Sequence, residues 1–215
     1  MEGYCDLNRH GEGLRENTLW TDESVIELNP KPNRQNTRVR ATADKVPTIG
    51  VPKHPIKIMV AGGITANGVT ELYVCPEKET IDGKVYETKI LPIYLKAIGD
   101  KRLIRNRRKA TLCQDSAPGH NIRPVISKIQ STFPNSWTFG IWPGNSPDFN
   151  VIEHVWDVLQ ESVHKCPIPK SREQLVARVR ETWNSLEPGY LKSLVHSFPS
   201  RMDEAINNNG GHTTY

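Results

Sequence analysis

Hydrophobic and polar positions alternate in the first half of the chain as they do in β-strands. The segment TLWTDESVIEL, residues 18–28, alternates loosely and is rich in β-branched residues, which predicts a strand. Residues 56–76, IKIMVAGGITANGVTELYVCP, contain two apolar runs around Asn67-Gly68, a dipeptide that favours the tight turn of a β-hairpin. Further short strands are predicted in KATLCQDSAPG and in SWTFGIW.

Helical periodicity dominates the rest of the chain. The segment YETKILPIYLKA has apolar residues at helical spacing, and Pro92 within it predicts a kink or a break. NIRPVISKIQSTF predicts a second helix. A third helix is predicted by apolar residues that recur at positions i, i+3, i+4, i+7 and i+11 and so form one buried stripe: Ile152, Val155, Trp156, Leu159 and Val163. Two more helices follow, the first opened by a capping box of Ser171 and Gln174 and the second stopped by Gly210-Gly211.

The order of these elements predicts a fold class. Strands come first and are mixed with helices, and helices alone close the chain, which indicates an α/β domain with a helical C-terminal cover. The 215 residues suffice for one substantial domain or two small ones, and the composition is that of an ordinary globular protein.

Charge and cysteine content add candidate partners and exclude others. The net charge is only +4, but residues 101–109, KRLIRNRRK, hold six basic side chains, which indicates a polyanionic partner. The four cysteines are far apart and form no CxxC pair, so neither a zinc module nor a disulfide framework is indicated, and reduced thiols inside the cell are expected. The N-terminal residues lack the apolar run of a signal peptide, and no segment approaches the roughly 18 apolar residues of a membrane span.

Three acidic residues lie where predicted elements begin or end. Asp22 is in the first strand, Asp115 follows TLCQ, and Glu153 starts the helix with the long apolar stripe. Enzymes that cut or join phosphodiesters often hold two divalent ions about 3.5 to 4 Å apart between such acids, and Mg²⁺ prefers carboxylate oxygens. The three residues are therefore candidate ligands of a two-metal site.

Each acid also has a purely structural interpretation. Asn150 and Glu153 have capping-box spacing, and Glu153 with Asp157 is typical of a solvated helical face. Asp115 is a natural turn residue in QDSAPG, and Asp22 is consistent with a strand-end acid. Spacing alone leaves both interpretations open.

Four segments, in order along the chain, carry a resemblance to a known family: WTDES, IMVAGGITANGVTELYV, CQDSAPGH and WPGNSPDFNVIEHVW. Together they resemble the catalytic domain of mariner-type transposases of the DDE superfamily. The resemblance runs from about Trp20 to the end, and the helical tail from WNSLEPGY onward is similar to the closing segment of the Tc branch.

The resemblance implies an RNase H-like fold, a mixed sheet flanked by helices with a helical C-terminal extension, over residues 16–215, and leaves residues 1–15 unassigned. The family's catalytic triad matches Asp22, Asp115 and Glu153, and 37 residues, 116–152, separate the last two. In such enzymes the triad holds two Mg²⁺ or Mn²⁺ ions, a water cuts the transposon end, and the freed 3′-hydroxyl attacks target DNA. The implied partners are double-stranded DNA, as transposon ends and target, and a second copy in a homodimer. The implied location is the nucleus.

The chain departs from the family pattern at three places. Ala61 stands where tryptophan is usual, Val151 replaces a common proline, and Gly144-Asn145 stands for Ser-Gln. None removes a ligand, but they are expected to loosen local packing and they fit a decayed copy. Only about 20 residues precede Asp22, so the two helix-turn-helix units of the family are expected to be absent, through truncation, gene-model error or loss after capture by a host.

Several other residues are candidates for function. His120 is interpreted either as a contact to a DNA phosphate or to the metal site, or as a turn histidine bonded to backbone. Asp157 is a lesser candidate ligand. Trp142, Trp156 and Trp183 are predicted to lie in the core rather than to stack on bases. The basic run is predicted to contact DNA phosphates rather than only solvent, through Lys101, Arg102, Arg105, Arg107, Arg108 and Lys109.

The leading hypothesis is a metal-dependent DNA endonuclease and strand transferase. A second hypothesis is an inactive or domesticated remnant that keeps the fold and binds DNA or protein, motivated by the missing recognition module and the scattered substitutions. A third is an RNase H-like nuclease that acts on other nucleic acids, against which the ordered mariner motifs argue.

Overall fold

The computed structural model describes residues 15–28, 55–137, 142 and 149–208. In this part of the chain a mixed β-sheet is flanked by helices on both faces. The strands are β1 (Thr18–Glu27), β2 (Lys57–Thr65), β3 (Gly68–Val69), β4 (Tyr73–Val74), β5 (Thr111–Cys113) and β6 (Asn135–Trp137). Their order in the sheet is β3-β2-β1-β5-β6, and β4 also pairs with β2.

The sheet changes direction at β1, its longest strand. β1 pairs antiparallel with β2, with Asp22 opposite Gly62. On its other side β1 pairs parallel with β5, with Trp20 opposite Cys113, and β5 pairs parallel with β6. The predicted hairpin at Asn67-Gly68 is confirmed, since Thr65 of β2 pairs with Gly68 of β3.

Five α-helices surround the sheet in the described residues, together with two short 3₁₀ helices at Arg107–Lys109 and Pro118–Asn121. The α-helices are α1 (Gly83–Val85, a wide turn over Tyr86–Ile90, and Leu91–Ala97), α2 (Arg123–Thr132), α3 (Glu153–Ser162), α4 (Arg172–Asn184) and α5 (Pro188–Asn207). The wide turn has i to i+5 hydrogen bonding and ends just before Pro92, which has no N–H to donate to the preceding turn. The kink predicted at Pro92 thus takes the form of a widened turn in a continuing helix.

Two hydrophobic cores lie on opposite faces of the sheet, because successive strand residues point to opposite sides. Leu19 packs against α1 and α2 in one core, and its neighbour Trp20 packs against α3, α4 and α5 in the other. Trp142, Trp156 and Trp183 are buried in this second core, which confirms their predicted core role. The α/β class with a mixed sheet and a helical C-terminal cover is therefore confirmed.

Local details partly differ from the sequence expectations. Ser171 Oγ accepts a hydrogen bond from Gln174 N at 3.3 Å as predicted, but Gln174 Oε1 accepts from Lys170 N at 2.8 Å instead of completing the box on Ser171. Ala61 and Val151, the departures from the family pattern, are both fully buried. Gly144-Asn145, Gly210-Gly211 and the SWTFGIW strand beyond Trp137 lie outside the described residues. Among the described helices, none has the length and apolar character needed to cross a membrane.

Candidate active site

The parallel register of β1 and β5 brings two aspartates together. The last paired residues are Trp20 and Cys113. Asp22 and Asp115 each follow two residues further along the chain. Thr21 Oγ1 donates to the Cys113 carbonyl at 2.8 Å and holds the strands together at this point. Neighbouring strands lie about 4.8 Å apart. The two aspartates therefore lie side by side where β5 ends.

Glu153 reaches this edge from the opposite side, as the first residue of α3. The residues before it, Val151 and Ile152, are fully buried, and Asn150 Nδ2 donates to the Thr21 carbonyl at 3.2 Å, which ties the helix start to β1. No side chain caps α3, and the Asn150 side chain bonds to β1. The capping-box interpretation of Asn150 and Glu153 is therefore wrong. The sequence also predicts that Asp148 shapes this helix start, but Asp148 lies outside the described residues.

Asp22 and Glu153 form a hydrogen-bonded carboxyl pair. Burial, together with the negative charges of Glu153 and Glu23, raises the pKa of Asp22 to about 8. Burial also raises the pKa of Glu153, while the hydrogen bond with Asp22 opposes that rise and the charges of Asp157 and Asp115 add to it. With its pKa raised to about 8, Asp22 carries a proton at neutral pH, and its hydrogen bond with Glu153 opposes the rise in the pKa of Glu153.

Trp156 holds the Asp22 carboxyl in place. Its indole Nε1 donates to Asp22 Oδ2 at 3.0 Å, and its ring stacks on that of Trp183 with centroids 5.5 Å apart. Trp183 is fixed in turn by donating its own Nε1 to the Thr70 carbonyl at 2.8 Å. The helical spacing of Trp156 predicts its position in the core. That spacing does not indicate the hydrogen bond from Trp156 to Asp22.

Asp115 is held by a different ring. Its Oδ1 accepts from His120 Nδ1 at 2.7 Å and from the Ala117 backbone N–H at 3.0 Å. The hydrogen bond from His120 lowers the pKa of Asp115, against an opposing effect of burial. The side chain of Asp115 is 47% exposed, so this carboxylate faces solvent more than Asp22 does.

His120 bridges two acids in the interior. Its exposed fraction is 4%, its Nε2 lies 3.3 Å from Glu23 Oε2, and its ring packs on Tyr86 with centroids 4.1 Å apart. Burial alone lowers the pKa of this imidazole, but the hydrogen bonds to Asp115 and Glu23 prevail and raise it to about 10. The histidine is thus cationic at neutral pH. This placement favours a role beside the candidate metal site over a phosphate contact.

The donor set fits a divalent cation. Within the described ranges no three His, Cys, Asp or Glu side chains are already arranged as a metal-binding group. Asp22 and Glu153, however, share a proton in a buried place where two negative charges repel, and a cation between them would replace that proton. Asp157, one turn further along α3, is exposed.

The basic run lies at the other end of β5. All six of its basic side chains are exposed, and Arg102 pairs with Asp100 at 2.7 Å. Lys109 precedes the first residue of β5 whereas Asp115 follows the last, so six residues of extended chain, about 20 Å, separate them. The structure does not bring the basic run to the carboxylates.

A mixed sheet with helices on both faces and acids at the end of its parallel strands is the arrangement of an RNase H-like domain. Residues 17–176 match the family model of the DDE superfamily endonuclease, and the chain belongs to this family. The predicted relationship to mariner-type transposases is likewise confirmed by the proteins that the chain matches.

The relatives are transposases of nematode transposable elements. The chain is 26% identical to the Tc1 transposase of Caenorhabditis elegans over 131 residues, which cover 61% of this chain and 44% of that protein. It is 32% identical to the Tcb1 transposase of Caenorhabditis briggsae over 102 residues, or 47% of this chain and 36% of that protein. The matched regions thus span less than half the length of these transposases.

Solved structures of Mos1 transposase share the fold. The Mos1 paired-end complex with the left transposon end superposes with a TM-score of 0.76 at 17% identity, over 97% of this chain and 59% of that one. The Mos1 mariner catalytic domain superposes with a TM-score of 0.70 at 15% identity, over 98% and 89% of the two chains. The predicted RNase H-like fold is confirmed by this likeness.

Proposed function

We propose that this chain is the catalytic domain of a Tc1/mariner-type transposase that cleaves DNA and transfers strands with divalent metal ions. Asp22, Asp115 and Glu153 are the proposed catalytic residues and the ligands of two Mg²⁺ or Mn²⁺ ions. The observation that carries the proposal is the buried pair of Asp22 and Glu153, with Asp115 at the adjacent strand end. Mos1 complexes have been determined with Mn and with Mg, which supports the choice of metal.

When bound, the ions would activate the attacking oxygen and stabilise the leaving oxygen of the phosphodiester. The protein supplies the frame. Asp22 is on the central strand of the sheet, and Glu153 is on a helix whose start is bonded to that strand at Thr21. Trp156 keeps Oδ2 of Asp22 in a fixed direction through the hydrogen bond from its indole N–H. The negative charge of these residues would repel a polyanionic substrate, and the proposed divalent ions would offset that charge.

Double-stranded DNA is the proposed partner. The exposed basic run supports this proposal, and its position about 20 Å from Asp115 suits contact with backbone phosphates remote from the cleaved bond. We propose that His120 belongs to the nucleic-acid site indirectly. It contacts Asp115 and Glu23 rather than a DNA phosphate. Mos1 transposase has been determined as a paired-end complex with the left transposon end. We propose that this chain likewise acts on two DNA ends, as a homodimer. Its proposed location is the nucleus, because its proposed substrate is DNA.

A plasmid nicking assay with Mn²⁺ tests the catalytic assignment. Wild type is expected to convert supercoiled plasmid to nicked circles, and Asp115→Asn is expected to fall to the level of a reaction without protein. Glu181→Gln, which removes an exposed charge on α4, is the matched control and should retain wild-type nicking. Equal nicking by wild type and Asp115→Asn would reject the assignment. A wild type that binds DNA without nicking it would point to a remnant that keeps only the fold.

A further inference from the structure

A bridge of three side chains links the two strands that carry the aspartates. Glu23, next to Asp22 on β1, contacts His120 Nε2 at 3.3 Å, and His120 Nδ1 contacts Asp115 Oδ1 at 2.7 Å. We propose that Glu23 is a positioning residue that acts through His120: the bridge sets the separation of Asp22 and Asp115 and turns one oxygen of Asp115 toward the divalent ion. This inference rests on the proposed function.

The bridge is placed where backbone pairing stops. β1 and β5 pair only as far as Trp20 and Cys113, and the next side-chain link is the bond from Thr21 Oγ1 to the Cys113 carbonyl. Beyond it β1 continues to Glu27 whereas β5 ends and the chain turns away. Asp115 is thus carried by a turn and Asp22 by a strand. Among the described residues, the contact of His120 with Glu23 and Asp115 is a side-chain link between this turn and β1.

His120 is held firmly enough to serve this purpose. Its ring packs on that of Tyr86, and the Tyr86 hydroxyl donates to Gln114 Oε1 at 2.6 Å, beside Asp115. Asn121 Nδ2 donates to the Ser116 carbonyl at 2.9 Å and closes the turn that follows Asp115. Packing on Tyr86 restricts rotation of the His120 ring, and the contact with Glu23 connects the ring to β1. Loss of the Glu23 contact therefore removes this connection between His120 and β1.

The bridge also selects one oxygen of Asp115. Two groups donate hydrogen bonds to the Asp115 carboxylate, His120 Nδ1 and the Ala117 backbone N–H, and both donate to Oδ1. Among the described residues, Oδ2 is therefore the oxygen left for a cation. A carboxylate ligand that is oriented by an outer hydrogen bond typically loses 10- to 100-fold in metal affinity, roughly, when that bond is removed.

Mn²⁺ titration calorimetry on wild type and three variants tests the inference. Glu23→Ala removes the acceptor and is expected to weaken Mn²⁺ binding by about tenfold or more. Glu23→Gln keeps an oxygen that accepts from His120 Nε2–H and is expected to stay within about threefold of wild type, since the position of the ring is preserved. Glu27→Ala, on the same strand and face, removes the same charge without touching the bridge and should bind as wild type does.

A metal-free readout separates positioning from general damage. Proton NMR of wild type should show two hydrogen-bonded ring N–H signals from His120, and Glu23→Ala should lose one while its melting temperature without metal stays close to that of wild type. If Glu23→Ala does not fold, Glu23→Asp takes its place, because a side chain shorter by one methylene withdraws the acceptor and is expected to give an intermediate loss of affinity.

The failures of the two proposals are distinguishable. A wild type that binds no Mn²⁺ rejects the proposed metal site itself. If wild type binds Mn²⁺ and Glu23→Ala binds it equally well, the metal site stands and the positioning role of Glu23 is wrong. If Glu23→Gln loses as much affinity as Glu23→Ala, the charge of Glu23 rather than its contact with His120 matters, and the inference is overturned.

Discussion

Replacing Asp22 by asparagine is expected to stabilise the metal-free protein. Asp22 is buried beside the negative Glu153, and it must take up a proton to remain there at neutral pH. Asparagine has nearly the same shape and needs no proton. Its amide oxygen can accept from Trp156 Nε1 as Asp22 Oδ2 does, and its NH₂ can donate to Glu153.

The magnitude follows from the raised pKa of Asp22. Protonating a carboxyl whose ordinary pKa is 3.8 costs about 1.4 kcal/mol for each pH unit above that value, as long as the pH stays below the folded pKa of about 8. The cost is absent below pH 3.8, grows as the pH rises, and levels off near pH 8. At pH 7 it reaches about 4 kcal/mol, and at pH 4.5 it is only about 1 kcal/mol.

Urea unfolding in the presence of a chelator at both pH values measures this difference. The Asp22→Asn variant should exceed wild type in free energy of unfolding by several kcal/mol at pH 7 and by little at pH 4.5. Added Mn²⁺ at 100 times its dissociation constant should stabilise wild type by about 2.7 kcal/mol and the variant by less. A variant that is less stable than wild type at pH 7, or a difference that does not change with pH, would show that Asp22 is not held protonated in the folded protein.

Three further predictions follow from single contacts. Trp156→Phe keeps an aromatic ring but loses the hydrogen bond to Asp22. The free energy of Mn²⁺ binding, measured by calorimetry, should weaken by about 1.5 to 3 kcal/mol, the contribution of a hydrogen bond to a charged group. Unchanged affinity would mean that this bond does not orient Asp22 as a metal ligand. Gly62→Ala places a methyl group 2.7 Å from the Trp183 ring, and denaturant unfolding should show a loss of about 1 to 3 kcal/mol. Arg108→Gln should lower the slope of log DNA affinity against log salt by about 0.9 without changing Mn²⁺ binding, and an unchanged slope would place DNA elsewhere.

Elements with strong local patterns were predictable. The stripe from Ile152 to Val163 is the buried face of α3, and the alternating residues of TLWTDESVIEL form β1, because periodicity is a local property of the chain. The Asn67-Gly68 turn was predictable for the same reason. The capping box at Glu153 failed because the buried residues Val151 and Ile152, rather than a polar cap, hold the start of α3.

The fold class, the family and the three candidate acids were predictable from the amino-acid sequence, since they depend on periodicity and on motifs that can be read in order along the chain. The contacts that each acid makes were not predictable in this way. Asp22 meets Trp156 across 134 positions, and Asp115 connects through His120 to Glu23 on another strand. These partners depend on strand register and on how a helix docks, which local patterns do not encode. The extended course of β5 separates the basic run from Asp115, although Asp115 is only six positions after Lys109.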